Sequence, residues 1–160
     1  MKTILIPTDF NLSALESIPA LCAQTADKEI RFVFVHLFKL SDSIGELLML
    51  SRRSREYAHV SDGFYAACTD LKSRFPKIES IRIDFFYGST VSAFRNFLEA
   101  NNVDVVLEPS AWSYSDLNKS SVHPRILLER CRLPMIAVDR KTIMMPEQVH
   151  FIADQELAEA

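Results

Sequence analysis

Five short apolar runs punctuate the chain: Thr3 to Pro7, Arg31 to Phe38, Ile81 to Tyr87, Val103 to Leu107 and Pro134 to Val138. Runs that stay apolar instead of alternating with polar residues predict strands buried on both faces, as in a parallel sheet. The gaps between them read as helices. Ser13-Ala14-Leu15-Glu16 is a capping-box pattern that predicts a helix through Leu15, Ile18, Leu21 and Cys22, with Pro19 in its first turn or bending it. The gap from Ser43 to Phe75 is long enough for one extended helix, or for two interrupted at Gly63. From Ser89 to Asn101, the residues Val91, Phe94, Phe97 and Leu98 share a helical face, and Asn101-Asn102 is a stop signal. The fourth gap is different: Pro109 to Ser121 is polar, and helical spacing resumes only at Ile126, Leu127 and Arg130. That predicts a loop of about a dozen residues after the fourth strand, a length at which loops often carry function.

This alternation predicts an α/β fold, a five-stranded parallel doubly wound sheet with helices on both faces. Residues 1–140 make one domain. Residues 141–160 form an arm or tail, in which Gln148 to Ile152 reads as an added edge strand, a partner-binding arm or a frayed end. A chain of 160 residues that is 48% apolar can build its core without disulfides or metal.

A formal charge of −3 gives no overall positive field for nucleic acid or anionic lipid. The run Arg52-Arg53-Ser54-Arg55 therefore reads as a solvated helix face. No apolar stretch approaches the roughly eighteen residues of a membrane span. Cys22, Cys68 and Cys131 form no CxxC pair, and His36, His59, His123 and His150 lack metal spacing. The expectation is a cytoplasmic protein with reduced thiols, no metal and no membrane contact. Ser110 or Ser113 with His123 and Asp116 would make a hydrolase set, but no GxSxG elbow accompanies them. Phe85-Phe86-Tyr87-Gly88, where a phospho-receiver needs a carboxylate, removes that class as well. The chain has three glycines where average usage gives about eleven, so neither GxGxxG nor a P-loop can be written.

In an open parallel sheet, ligands bind beyond the carboxyl ends of the strands, where the strand order reverses. Two loops would meet there, Pro7-Thr8-Asp9-Phe10 and Pro109 to Ser121. The residues Ile4-Leu5-Ile6-Pro7-Thr8-Asp9-Phe10, Val35-His36-Leu37, Phe86-Tyr87-Gly88-Ser89-Thr90, Val103-Asp104-Val105-Val106-Leu107 and Cys131 to Val138 resemble, in order and spacing, the universal stress protein family. The resemblance spans Lys2 to Arg140. It implies an adenine nucleotide alpha hydrolase-like fold and a homodimer formed through the last strand, Pro134 to Asp139. It also implies that Asp9 takes the acidic position contacting a nucleoside, with Pro7 and Thr8 beside it, and that the backbone of Leu37 faces the adenine.

The phosphate side departs from the family pattern. Two glycines three apart fall at Pro109 and Trp112, and a later Gly-Ser falls at Ser120-Ser121 or one residue later. Proline has no N–H to offer a phosphate, and the Cβ of Trp112 penalises the left-handed backbone that glycine allows. Compensation would come from the hydroxyls of Ser110, Ser113, Ser115, Ser120 and Ser121, from Lys119 or Arg125, and from a helix beginning near Val122. Trp112 and Tyr114 read as a lid on the crevice, or as rings that stack on a purine or peptide. The expected function is a non-enzymatic, universal-stress-like homodimer that acts in stress response by binding a partner or small ligand, with no catalytic residue and no required cofactor. The alternative is an adenine-nucleotide switch taking ATP or AMP at Pro7, Thr8, Asp9, Leu37, Ser110, Ser120 and Ser121.

Overall fold

The computed structural model describes residues 1–39 and 57–138. Residues 43–56 of the second gap, which include the basic run at Arg52, lie outside the described residues, as do Asp139 of the last-strand seam and the segment 141–160. The chain runs β1 (Lys2–Pro7), a 3-10 turn (Leu12–Leu15), α1 (Ile18–Gln24), β2 (Ile30–Phe38), α2 (Asp62–Arg74), β3 (Ile78–Tyr87) and α3 (Val91–Ala100). It continues through β4 (Val105–Leu107), a 3-10 turn (Pro109–Ala111), β5 (Ser121–Val122), α4 (Arg125–Cys131) and β6 (Met135–Ile136).

The sheet order is β3-β2-β1-β4-β6, and every pair along it is parallel. These are the five strands that the apolar runs predict. A sixth, β5, was not foreseen: it pairs antiparallel with the end of β2, Leu37 opposite Val122 and Phe38 opposite Ser121. Space for it exists because β2 outruns β1, whose last paired residue is Pro7 against Val35.

Alternate residues of the inner strands feed two separate cores. Ile4, Ile6, Phe32 and Phe34 pack with Ile18 and Leu21 of α1 and Phe64 and Leu71 of α2. Leu5, Val33, Val35 and Leu37 pack with Phe94 and Leu98 of α3 and Leu127 and Leu128 of α4. The helices that follow β1 and β2 thus cover one face, and those that follow β3 and β4 cover the other. The reversal falls between β1 and β4.

Three local expectations are corrected. The capping box at Ser13 does not form: Asn11 caps the 3-10 turn by accepting from the Ser13 N–H, and α1 begins only at Ile18, with Pro19 in its first turn. Gly63 does not interrupt a helix but sits in the first turn of α2, behind the Ser61 cap. No helix starts near Val122, because Ser121 and Val122 are strand and α4 begins at Arg125. The Asn101-Asn102 stop is present, with Asn102 at φ 54° in the left-handed region.

Candidate functional site

Beyond β1 the chain keeps its ladder for one more residue, the Thr8 N–H donating to the Val35 carbonyl at 2.9 Å. It then turns sharply. The Phe10 N–H donates to Thr8 Oγ1 at 2.8 Å, and Phe10 takes φ 63°, a conformation that costs a bulky side chain energy. Burial offsets that cost: the Phe10 ring lies 5.8 Å from Phe64 and 5.4 Å from Phe85, centroid to centroid.

The turn leaves Asp9 facing the loop after β4. The two loops pair directly, Thr8 bridging Ser113 in parallel and the Asp9 N–H donating to the Ser113 carbonyl at 2.9 Å. The carboxylate is also taken. Its Oδ1 accepts from the Asn11 N–H (3.1 Å) and the Ser113 hydroxyl (2.9 Å), and its Oδ2 accepts from the Ser115 hydroxyl (2.8 Å). Burial pushes the Asp9 carboxyl up, but the hydrogen bonds from Ser115, Asn11 and Ser113 outweigh it and hold the group below its ordinary value.

The post-β4 segment is a strap with several attachments. Trp112 donates its indole Nε1–H to the Leu107 carbonyl at 2.6 Å. Two residues on, Tyr114 lies flat on His36, 4.6 Å between ring centroids and 2° between planes. The Tyr114 hydroxyl donates to the Val122 carbonyl at 2.7 Å and accepts from the Leu37 N–H at 3.1 Å.

His36, fully buried in β2, anchors the strap from below. Its Nδ1 lies 2.7 Å from the Thr8 carbonyl, which can only accept, so Nδ1 carries the proton. Nε2 is then free to accept from the Ser121 hydroxyl at 2.8 Å. That hydroxyl in turn accepts from the Leu117 and Asn118 N–H groups at 2.8 and 3.3 Å. Burial pushes the His36 pKa down, opposed by the Thr8 hydrogen bond and the Asp9 and Asp116 carboxylates, with a net shift below the ordinary imidazole value. The neutral tautomer that the geometry requires is the one that burial favours.

Of the residues singled out in the sequence, Pro7, Thr8, Asp9, Leu37 and Ser121 are brought together around this strap. Ser120 lies at its edge, its N–H donating to Asn118 Oδ1 and its carbonyl accepting from the Lys39 N–H. Ser110 is set apart, on a cleft of about 300 Å³ that it shares with Ser13, Glu16, Glu108 and Ser113. Among the described residues that cleft is lined by two carboxylates and by no lysine or arginine. The hydrolase set is not assembled either: Ser113 donates to Asp9, and His123 packs edge-on to Tyr114 and accepts from the Arg125 N–H.

Sequence reasoning read Tyr114 as a lid on the crevice, the place it takes over His36, but missed the role of His36. The signal for His36 was present, since an imidazole inside a strand buried on both faces must find two partners. Among the described residues no group of three or more metal-binding side chains occurs, and no helix is long and apolar enough to cross a membrane.

No protein-family model and no curated protein matches the chain. Solved structures do. Universal stress protein UspA from Lactobacillus plantarum is similar at 12% identity and a TM-score of 0.49, over 86% of this chain and 97% of that one. A universal stress protein family member from Burkholderia pseudomallei is similar at 15% identity and a TM-score of 0.47, over 86% and 95%. An Arabidopsis thaliana member, solved with AMP bound, is similar at 7% identity and a TM-score of 0.47, over 86% and 91%. The likeness is one of fold. The fold assignment rests on the chain's own strand order and its reversal between β1 and β4.

Proposed function

We propose that this chain is a non-enzymatic, universal-stress-like binding protein that works as a homodimer in stress response, through a partner or a small ligand. The observation that carries this reading is the closure of the switch-point crevice by the chain's own groups. The Asp9 carboxylate is satisfied by Asn11, Ser113 and Ser115; of the serines expected to replace a phosphate loop, Ser113, Ser115 and Ser121 have their hydroxyls committed and Ser110 lies in the cleft with Glu16 and Glu108. Among the described residues, a phosphate placed at Ser110 would meet the Glu16 and Glu108 carboxylates and no lysine or arginine in that cleft. The close Ser–His pair among the described residues, Ser121 with His36, is poorly placed as nucleophile and base: the imidazole is inaccessible, and the hydroxyl is held by two N–H donors as well.

The dimer reading is supported by the sheet margin. Among the described residues β6 lies at one end of the sheet order with Met135 49% exposed, and α4, which leads into it, exposes Ile126. An uncovered edge strand with apolar side chains is a template for pairing. Light scattering coupled to size exclusion tests this directly: a dimer that becomes a monomer on Ile136→Lys supports the seam, and a parent monomeric at every concentration sinks it.

The second reading is the adenine-nucleotide switch. It is favoured by the Leu37 N–H and the Asp9 carboxylate, which stand at the crevice with partners that could be exchanged for a ligand's. A thermal-shift titration with ATP, ADP and AMP, with and without magnesium, separates the two. A ligand at a hundredfold over its Kd adds about 2.7 kcal/mol, roughly 5–11 °C in Tm for a chain of this size. The first reading expects no such shift. The second expects one that is absent in Asp9→Ala.

A further inference from the structure

We propose that Tyr114 is a built-in occupant of the crevice, filling from within the chain a slot shaped for a flat ring that carries a hydrogen-bond donor and acceptor on one edge. This rests on reading the crevice as a binding site. Two features of the geometry carry it. The ring has a stacking floor, His36 at 4.6 Å and 2°, with His123 at 5.5 Å and Trp112 at 6.5 Å around it. The outer edge of the ring meets one backbone donor and one backbone acceptor, the Leu37 N–H and the Val122 carbonyl, which face each other across the β2–β5 pairing. One oxygen answers both.

The slot is also separable from the strap that fills it. Trp112 is fixed to the Leu107 carbonyl, Ser113 and Ser115 to Asp9, and Leu117 to Ser121, all independently of the phenol. Removing the Tyr114 side chain therefore opens a ring-sized space between fixed walls instead of releasing the loop. The neutral imidazole floor and the uncharged edge groups select planar aromatics bearing adjacent donor and acceptor atoms. Such ligands enter the parent protein only by displacing Tyr114.

The test is chemical complementation of Tyr114→Gly by 4-methylphenol, the side chain that the substitution removes. The variant should lose thermal stability, and 4-methylphenol at a hundredfold over its Kd should return roughly 5–11 °C. Toluene, which lacks the hydroxyl, should return less than half of that. The parent and a surface control, Tyr65→Ala, should not respond. A folded variant that binds no 4-methylphenol, or a parent that responds equally, overturns the proposal. Should Tyr114→Gly not fold, Tyr114→Phe keeps the ring and removes the edge contact. Its Leu37 amide should then exchange with solvent about tenfold faster than the parent's, and an unchanged rate overturns the proposal. Light scattering on the same samples keeps the two readings apart: failure of the complementation leaves the dimer standing, and a monomeric parent leaves the slot standing.

Discussion

The imidazole of His36 and the phenol of Tyr114 lie parallel and are held by adjacent residues of the same segments: Thr8 and Ser121 hold the one, Leu37 and Val122 the other. Four segments of the chain are tied at a single stack. The strap therefore docks on the end of the sheet at this stack, and disturbing the His36 ring beneath it should be felt by both loops.

Acid is the mildest disturbance. The His36 pKa is held below its ordinary value of 6.5, so the unfolded chain binds the proton more readily than the folded one. The neutral ring's contribution is fully present above about pH 6.5 and is lost as the pH falls from there through the folded value. The charges facing this ring are Asp9, Asp116 and His59. Asp9, also lowered, acts in a separate window, because its contribution is lost only as the pH falls below its ordinary 3.8. Melting curves between pH 5 and 7.5 should show Tm dropping on acidification in the parent, with a flatter profile in His36→Asn. Equal slopes would remove His36 as the cause.

Asp9→Asn tests the second attachment of the strap. The substitution keeps the shape but takes away the charge that three donors address. Hydrogen bonds to charged groups contribute about 1.5–3 kcal/mol each, while the retained amide oxygen preserves part of the set, so the expected loss is about 1–3 kcal/mol. Urea denaturation measures it, and a midpoint equal to the parent's would show that the serines hold the strap without the carboxylate.

Phe10 offers a packing test. Its ring sits 4% exposed between Phe64 and Phe85 on a left-handed backbone. Phe10→Ala should cost about 3–5 kcal/mol, as for other large-to-small core changes. Phe10→Gly should be less costly than the lost packing alone implies, since glycine relieves the strained turn. The order of the two unfolding midpoints decides it: Gly below Ala would mean that the turn is not strained.

Trp112→Phe removes one donor from the base of the strap. The Leu107 carbonyl then loses its 2.6 Å partner, for an expected loss of about 1 kcal/mol with the fold intact. Hydrogen exchange should quicken from Ser113 to Leu117 and remain unchanged in β1 and β2. Uniform quickening would instead mean that Trp112 supports the core.

Much of the fold was legible because burial writes itself into the sequence. Phe32 to Phe38 is apolar at nearly every position because β2 is flanked on both sides and covered on both faces, and only His36 departs from the pattern. Right-handed crossovers account for the helices falling on both faces, but more than one doubly wound strand order fits five such runs, and the order β3-β2-β1-β4-β6 is read from the structure. Helix starts were read less well. Ser13 and Glu16 satisfy the capping-box pattern, but Asn11 reached the Ser13 N–H first and the tertiary turn at Phe10 delayed α1 to Ile18. The crevice was legible as a place and not as a state. Pro7, Thr8, Asp9 and Leu37 meet there, yet no local pattern says that Ser113 and Ser115 will answer Asp9, or that Tyr114 will answer Leu37. Those are contacts between residues 77 to 106 positions apart, fixed only when β4 comes to lie beside β1.

β5 is only two residues long, and side chains of a strand alternate between opposite sides. Ser121 therefore meets His36 only because six residues separate it from Tyr114. Inserting or deleting one residue there would present a neighbour's side chain to the imidazole and turn the serine away, with composition almost unchanged. The chemistry of this crevice is set partly by counting: loop length, as well as residue choice, decides which side chain the imidazole meets.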